Sequence, residues 1–242
     1  FYNINSNGFG EFGNTKNEIG FYLGIRSHSK FGKLNMYVDL FNTPFPRSGV
    51  DFPSSGTDFL INYSTKINSG SSIILKYKRE IKESNSLSAK RKMIQDIIKT
   101  NYKIDLKYKV SPNIYSTTRI EFVEYNSKNK NESGFSTFQQ LKLNLYKDLY
   151  ILSRITFFDT DSYNSRIYQF ENDLQGLMTN KVLFEEGLRW FVLMNISPVK
   201  SLKLSIKYSD TFKPNKKDIG SGNSKIRGNT INQVGLQLDF SF

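Results

Sequence analysis

The stretch TINQVGLQLDFSF, residues 230–242, sets Val234, Leu236, Leu238, Phe240 and Phe242 on one side of an extended chain and Gly235, Gln237, Asp239 and Ser241 on the other. Successive side chains of a strand point to opposite faces, so a period of two with one apolar side reads as a strand. The same reading fits Tyr102, Ile104, Leu106, Tyr108 and Val110 against Lys103, Asp105, Lys107 and Lys109. It fits Leu202, Leu204, Ile206 and Tyr208 against Lys203, Ser205, Lys207 and Ser209, and Leu34, Met36, Val38 and Leu40 against Asn35, Tyr37 and Asp39. Leu188, Trp190, Val192, Met194 and Ile196 share an apolar face, with Arg189 and Asn195 opposite.

Extending the pattern outward gives about twelve strands, at roughly 18–30, 33–42, 57–68, 71–83, 93–110, 114–126, 135–147, 149–159, 165–174, 187–196, 201–212 and 229–242. Residues 89–99 also carry a four-residue spacing, Met93 to Ile97, but they run straight into the alternation at Tyr102 and read as one long strand. Most segments exceed the five or six residues usual in globular sheets and approach what a tilted strand needs to cross a bilayer. Tight connections at 68–70, 111–113 and 197–198 contrast with long ones at 43–56, 84–92, 126–134, 175–186 and 213–228. Short turns on one side and long loops on the other characterise outer-membrane barrels. The alternation of short and long breaks near 147–165, where a strand boundary or the side of a turn stays open.

Composition narrows the function classes. The chain has 242 residues, with 34 Lys+Arg against 22 Asp+Glu for a net charge of +12, no Cys and one His. Hydrophobic residues at 38% and aromatic ones at 14% exclude a disordered chain. Without Cys there is no disulfide framework, thiol catalysis or cysteine-ligated zinc, and one His cannot build a multi-histidine site. No run of about 18 apolar residues offers a membrane-spanning helix. A membrane β-barrel gives no such run, because lipid-facing and lumen-facing residues alternate along it. The expected fold is therefore all-β, an antiparallel up-and-down transmembrane β-barrel of about twelve strands forming a single domain over 1–242, an even count suited to closure. The chain opens at Phe1 without an initiator Met and reads as a mature or excised segment.

Catalytic and metal readings are weak. Asp159, Asp161 and Asn164 in DTDSYN have the oxygen-rich spacing of a cation loop, but the glycine is missing and Phe170 stands where the closing Glu belongs. An Asx-rich turn explains them. Glu171 and Asp173 face one side at a strand end, where lumen or loop carboxylates are expected. His28 has no nominated nucleophile or orienting carboxylate, and the glycines of 219–229 precede a strand rather than a helix. No cofactor, metal, catalytic set or small-molecule substrate is expected.

The basic excess is patterned. Lys76, Lys78, Lys82, Lys103, Lys107, Lys109, Lys142, Lys203 and Lys207 occupy the polar face, the lumen of a barrel, together with Glu80, Asp105 and Asp239. Three readings stay open: paired structural charges, a preference for anionic solutes, and contact with nucleic acid through interleaved aromatics. The apolar face carries almost no charge. Arg79, beside Ile73, Leu75 and Tyr77, is the exception, tolerable near a strand end. A soluble all-β binding module, a sandwich or lectin-like domain with the apolar face as its core, is the rival reading, and the strands are long for it.

Three stretches are more specific: DLFNTPFPRSGVDFPSSGTDFLI (39–61), FFDTDSYNSRIYQFENDL (157–174) and IGSGNSKIRGNTINQVGLQLDFSF (219–242), with NEIGFYLG (17–24) and EEGLRW (185–190) in support. Together they resemble a family of outer-membrane proteins of Bacteroidota and Ignavibacteria-type bacteria. In these proteins a helix-hairpin-helix segment related to competence DNA-uptake proteins precedes a long β-rich C-terminal region. The resemblance implies a non-enzymatic barrel in a Gram-negative outer membrane, a pore or the membrane anchor of a larger envelope protein, completed by a β region longer than this chain. The helix-hairpin-helix segment itself is not in this sequence. Leu238, Phe240 and Phe242 resemble the C-terminal signal read by the barrel-assembly machinery, which with outer-membrane lipid would be the implied partner.

Overall fold

The computed structural model describes residues 18–241 apart from 47–48, 89–90, 147, 221 and 223–224; Phe242 of the assembly signal lies outside the described residues. No α-helix occurs among them. The wall strands are β1 (Ile19–Ser29), β2 (Gly32–Thr43), β3 (Ser54–Asn68), β4 (Ser71–Ser88), β5 (Arg91–Ser111), β6 (Ile114–Ser127), β7 (Lys130–Tyr146) and β8 (Leu149–Thr160). Two short strands follow, β9 (Ile167–Glu171) and β10 (Thr179–Leu183), then β11 (Gly187–Val199) and β12 (Leu202–Phe212). A further short pair, β13 (Asp218–Ile219) and β14 (Ile226–Arg227), precedes β15 (Thr230–Phe240). The main sheet runs β1-β2-β3-β4-β5-β6-β7-β8-β11-β12-β15, each strand beside its predecessor in the wall, and β1 and β15 are its edges.

Two expectations are corrected. The sheet has eleven strands, so the closure argument from an even count falls away. Segment 165–174 is not a wall strand, because β9 pairs only with β10, in the register Glu171↔Thr179 to Ile167↔Leu183. Its five residues span about 17 Å at 3.3 Å each, against a hydrocarbon thickness of about 30 Å. Removing it from the wall resolves the break near 147–165. The two-residue connections 30–31, 69–70, 112–113, 147–148 and 200–201 then fall at every second step, and the long inserts 161–186 and 213–229 fall between them. The long connections expected at 84–92 and 126–134, also between them, shorten to two residues because β4 runs to Ser88, β5 starts at Arg91, β6 runs to Ser127 and β7 starts at Lys130. Neighbouring turn ends are stitched by backbone bonds, from Lys109 N to Gly70 O (2.8 Å), Asn144 N to Asn113 O (2.9 Å) and Ser197 N to Asp148 O (2.9 Å).

Contacts group the residues into two units. One comprises Phe1–Thr65, Ile74–Tyr102 and Glu124–Glu132. Within it, Asp58 is buried and accepts from Tyr37 (3.3 Å), with Lys78 Nζ at 3.0 Å, and Lys78 also meets Glu80. The opposite face carries Leu75, the Phe59–Tyr77–Tyr102 ring stack, and Arg79. Arg79 is not at a strand end, since β4 continues to Ser88.

The other unit comprises Lys66–Ile73, Lys103–Val123 and Ser133–Phe242. Here β8 buries Leu152, Arg154, Thr156, Phe158 and Thr160, and β11 buries Gly187, Arg189, Phe191, Leu193 and Asn195. On β12 the buried set is Ser205, Lys207 and Ser209. The polar face is thus the covered one. What covers it is the β9–β10 hairpin, whose Ile167, Gln169 and Glu171 are buried while Tyr168 and Phe170 are exposed.

Aromatics on the covered face close over glycines directly opposite on the next strand. Phe158 lies across from Gly187, where an added Cβ would stand 2.4 Å from the ring and 2.8 Å from the Phe212 carbonyl; Phe41 does the same at Gly56 in the first unit. The close approach requires glycine. Gly187→Val should cost about 1–3 kcal/mol through overpacking, read as a lower urea midpoint of the detergent-folded protein; an unchanged midpoint would remove this packing argument.

Candidate functional site

The site is the contact between the hairpin and the covered faces of β8, β11 and β12. Its centre is Glu171, 2% exposed. Arg189 grips it as a two-pronged fork, Nε to Oε2 and Nη2 to Oε1, both at 2.7 Å. The guanidinium is anchored in turn, donating from Nη1 to Thr211 Oγ1 at 2.6 Å. Lys207 Nζ reaches Glu171 Oε1 at 2.7 Å, Asp173 Oδ2 at 2.9 Å and the Asn172 carbonyl at 2.8 Å. A planar fork and an ammonium on one carboxylate make a charge-assisted set roughly twice as strong as neutral bonds.

Arg154 extends the site along β8. Its Nη1 donates to the Phe170 carbonyl at 2.7 Å, and Nε and Nη2 share Gln140 Oε1 at 3.0 and 2.6 Å. These hydrogen-bond partners are neutral. The guanidinium lies over the rings of Phe138 (4.2 Å) and Phe191 (5.3 Å), and Lys207 lies 4.9 Å from the same Phe191 ring. Thr156 donates to Gln169 (3.2 Å), Lys203 to Gln175 (2.8 Å), and Lys181 to Gln233 (3.1 Å). Beside the ionic contacts, on the same covered face, Leu174 packs with Leu152, Phe191 and Leu193, and Ile167 with Val123, Phe158 and Leu183.

The hairpin turn is self-held. Asp173 Oδ1 accepts from Leu174 N at 2.9 Å, Oδ2 accepts from Thr179 Oγ1, and Gly176 supplies the left-handed φ of 80°. At its root Glu185 also adopts a left-handed φ, 65°, pinned by a backbone bond from Thr160 N to Glu185 O (3.2 Å) and by Glu185 N on Thr160 Oγ1 (2.8 Å). Lys213 and Lys216 hold its carboxylate at 3.1 and 2.7 Å.

Burial alone would raise the Glu171 carboxyl pKa, but Arg189 and Lys207 outweigh it and hold the group below its ordinary value. Asp173 is lowered likewise, with burial opposed by Thr179, Lys207 and the Leu174 amide.

The other sequence candidates are dispersed. Lys142 Nζ sits 4.6 Å from the Tyr150 ring, in an open cleft of about 610 Å³ that Asn113 and Asn144 also line. Lys109 lies over Tyr115 at 5.7 Å, Lys107 is exposed on β5, and Asp105 pairs with Arg119 (2.5 and 2.8 Å). Lys76 and Lys103 are partly buried and have interaction partners of their own. Leu238 and Phe240 stand exposed on edge strand β15. Asp161 accepts from Ser133 N (2.6 Å) and Oγ (3.1 Å), so its carboxylate serves the turn. Among the described residues no three His, Cys, Asp or Glu side chains are placed to hold a metal. The sequence reading did not single out Arg154 and Arg189. The available signal was an arginine at the polar register of an otherwise apolar strand.

No protein-family model matches the chain, and no curated protein matches it. Among solved structures it is similar to CdiB from Acinetobacter baumannii, with a TM-score of 0.54 and 13% identity over 93% of this chain and 44% of that one. It is also similar to the NanC porin (TM-score 0.46, 9% identity, 94% of this chain and 95% of that one). A third is the KdgM porin in complex with disordered oligogalacturonate (TM-score 0.36, 12% identity, 93% and 92%). The chain is an all-β protein of antiparallel, up-and-down strands. It shares that fold with CdiB while spanning under half of CdiB's length.

Since Glu171 and Asp173 are held below their ordinary pKa values, their contribution to hairpin docking is complete at neutral pH and is lost as pH falls through those lowered values. Hydrogen-exchange protection of the β9 and β10 amides should collapse in acid. Arg189→Gln, which leaves the buried Glu171 to Lys207 alone and breaks a buried ion pair of the kind whose loss costs about 3–5 kcal/mol, should collapse it at neutral pH as well. Protection indifferent to both changes would contradict the ionic clamp.

Proposed function

We propose that this chain forms the wall of an outer-membrane β-barrel in a Gram-negative bacterium and works as a non-enzymatic channel whose bore the β9–β10 hairpin narrows. The observation that carries the reading is the inverted distribution of polarity. Among the described residues the buried set holds 20 polar or charged side chains against 12 hydrophobic ones, while Val234, Leu236, Leu238 and Phe240 are 64–75% exposed. A soluble sandwich or lectin-like module requires the apolar face to be its core, and here that face is bare. In a bilayer it meets lipid, and the polar face meets water and the hairpin.

A pore is favoured over a passive anchor because the covered face is lined by cations that a membrane anchor does not need. The likeness to helix-hairpin-helix-linked outer-membrane proteins rests on the quoted stretches of sequence, and no DNA-uptake role is proposed. Barrel assembly through the C-terminal aromatic pattern is part of the reading.

In planar lipid bilayers the natural protein should give stepwise currents, and replacing 165–183 by a short Gly-Ser bridge should raise the unit conductance severalfold. No current from either form, with a β-rich protein that stays soluble without detergent, would hand the case to the soluble module.

A further inference from the structure

We propose that Arg154, Arg189 and Lys207 form a binding site for carboxylate-bearing solutes, which the hairpin's own Glu171 and Asp173 occupy in the structure as a resident ligand. The proposal rests on the channel reading and names the solute class that its narrowest part would take. The three cations come from three successive wall strands, β8, β11 and β12, and are 6%, 4% and 5% exposed. The Arg189 fork is already set for a carboxylate by Thr211 from behind. Lys207 bridges two carboxylates two residues apart along the hairpin, so the site is two acid groups wide. Arg154 lies over the Phe138 and Phe191 rings and hydrogen-bonds only the neutral oxygens of Gln140 and Phe170; it feels the Glu171 charge without bonding that carboxylate, so it adds positive field at the place an incoming acid group would take. The covalent tether of the hairpin raises the local concentration of Glu171 and Asp173, so they hold the site until a competing acid group is abundant. A dicarboxylate that takes the fork and the ammonium removes the ionic hold on the hairpin, and binding and opening become one event.

The test is a titration calorimetry experiment on the natural protein in micelles, with glutarate and the uncharged glutaramide at matched ionic strength. In Glu171→Gln/Asp173→Asn the resident acid groups are gone, so glutarate should bind about tenfold more tightly than to the unaltered protein. Glutaramide should not bind, and adding Arg189→Gln should abolish the gain. A hairpin that merely packs would bring no gain. Because the double variant has lost its clamp, a second measurement uses the unaltered chain. Glutarate, and not glutaramide, should speed hydrogen exchange of the β9 and β10 amides at least severalfold. Equal effects of the two compounds, or none from either, would overturn the proposal. Glutarate binding without any bilayer current would retire the channel and leave the site, whereas current without either glutarate effect would retire the site alone.

Discussion

One buried carboxylate organises the second unit. Glu171 sits at 2% exposure between a guanidinium fork and an ammonium, and each of those cations is itself almost fully buried. Removing such charges from water is costly, and the cost is recovered only when geometry and hydrogen bonding are nearly complete. The hairpin supplies that completion. Without it, β8, β11 and β12 would present Arg154, Arg189 and Lys207 to water, and with it they are covered together with the Leu174 and Ile167 contacts beside them.

A single rule, strict alternation, lets one sheet carry two incompatible surfaces. Odd positions of β11 bear Arg189 and Asn195 toward the hairpin, and even positions bear Trp190, Val192 and Ile196 away from it. Between the edge strands β1 and β15 the backbone groups are satisfied within the ladder, so neither surface has to solvate them; pairing of those two edges is what a sheet standing in hydrocarbon further requires. Where the covered surface needs bulk, Phe158 over Gly187 supplies it without widening the strand spacing.

The wall was legible because its signal is local. The period of two fixed the face of nearly every strand, set Arg189 and Asn195 opposite Trp190, and rejected the helical spacing at Met93 and Ile97, which lie within β5. The hairpin was not legible, for a physical reason. Ile167, Gln169 and Glu171 alternate with Tyr168 and Phe170 just as wall residues do, and only length distinguishes β9 from a spanning strand. Its partner β10, TNKVL, lies in what reads as loop. The clamp joins residues 18 and 36 positions apart in sequence, Glu171 to Arg189 and to Lys207, and no periodic pattern records such a pairing. Lys207 was visible as a polar-face lysine, and Glu171 as a carboxylate near a strand end. That each is the other's partner is a tertiary fact.

The central claim is that the apolar face meets lipid and the charged face does not. Trp190, the chain's one tryptophan, lies on the apolar face of β11 with its ring 5.2 Å from that of Tyr208 on β12. The most direct test is its fluorescence in liposomes of brominated lipid, recorded beside the far-UV circular dichroism. The account predicts strong quenching together with a β-rich spectrum. An unquenched Trp190 in a β-rich protein that stays soluble without detergent would contradict it.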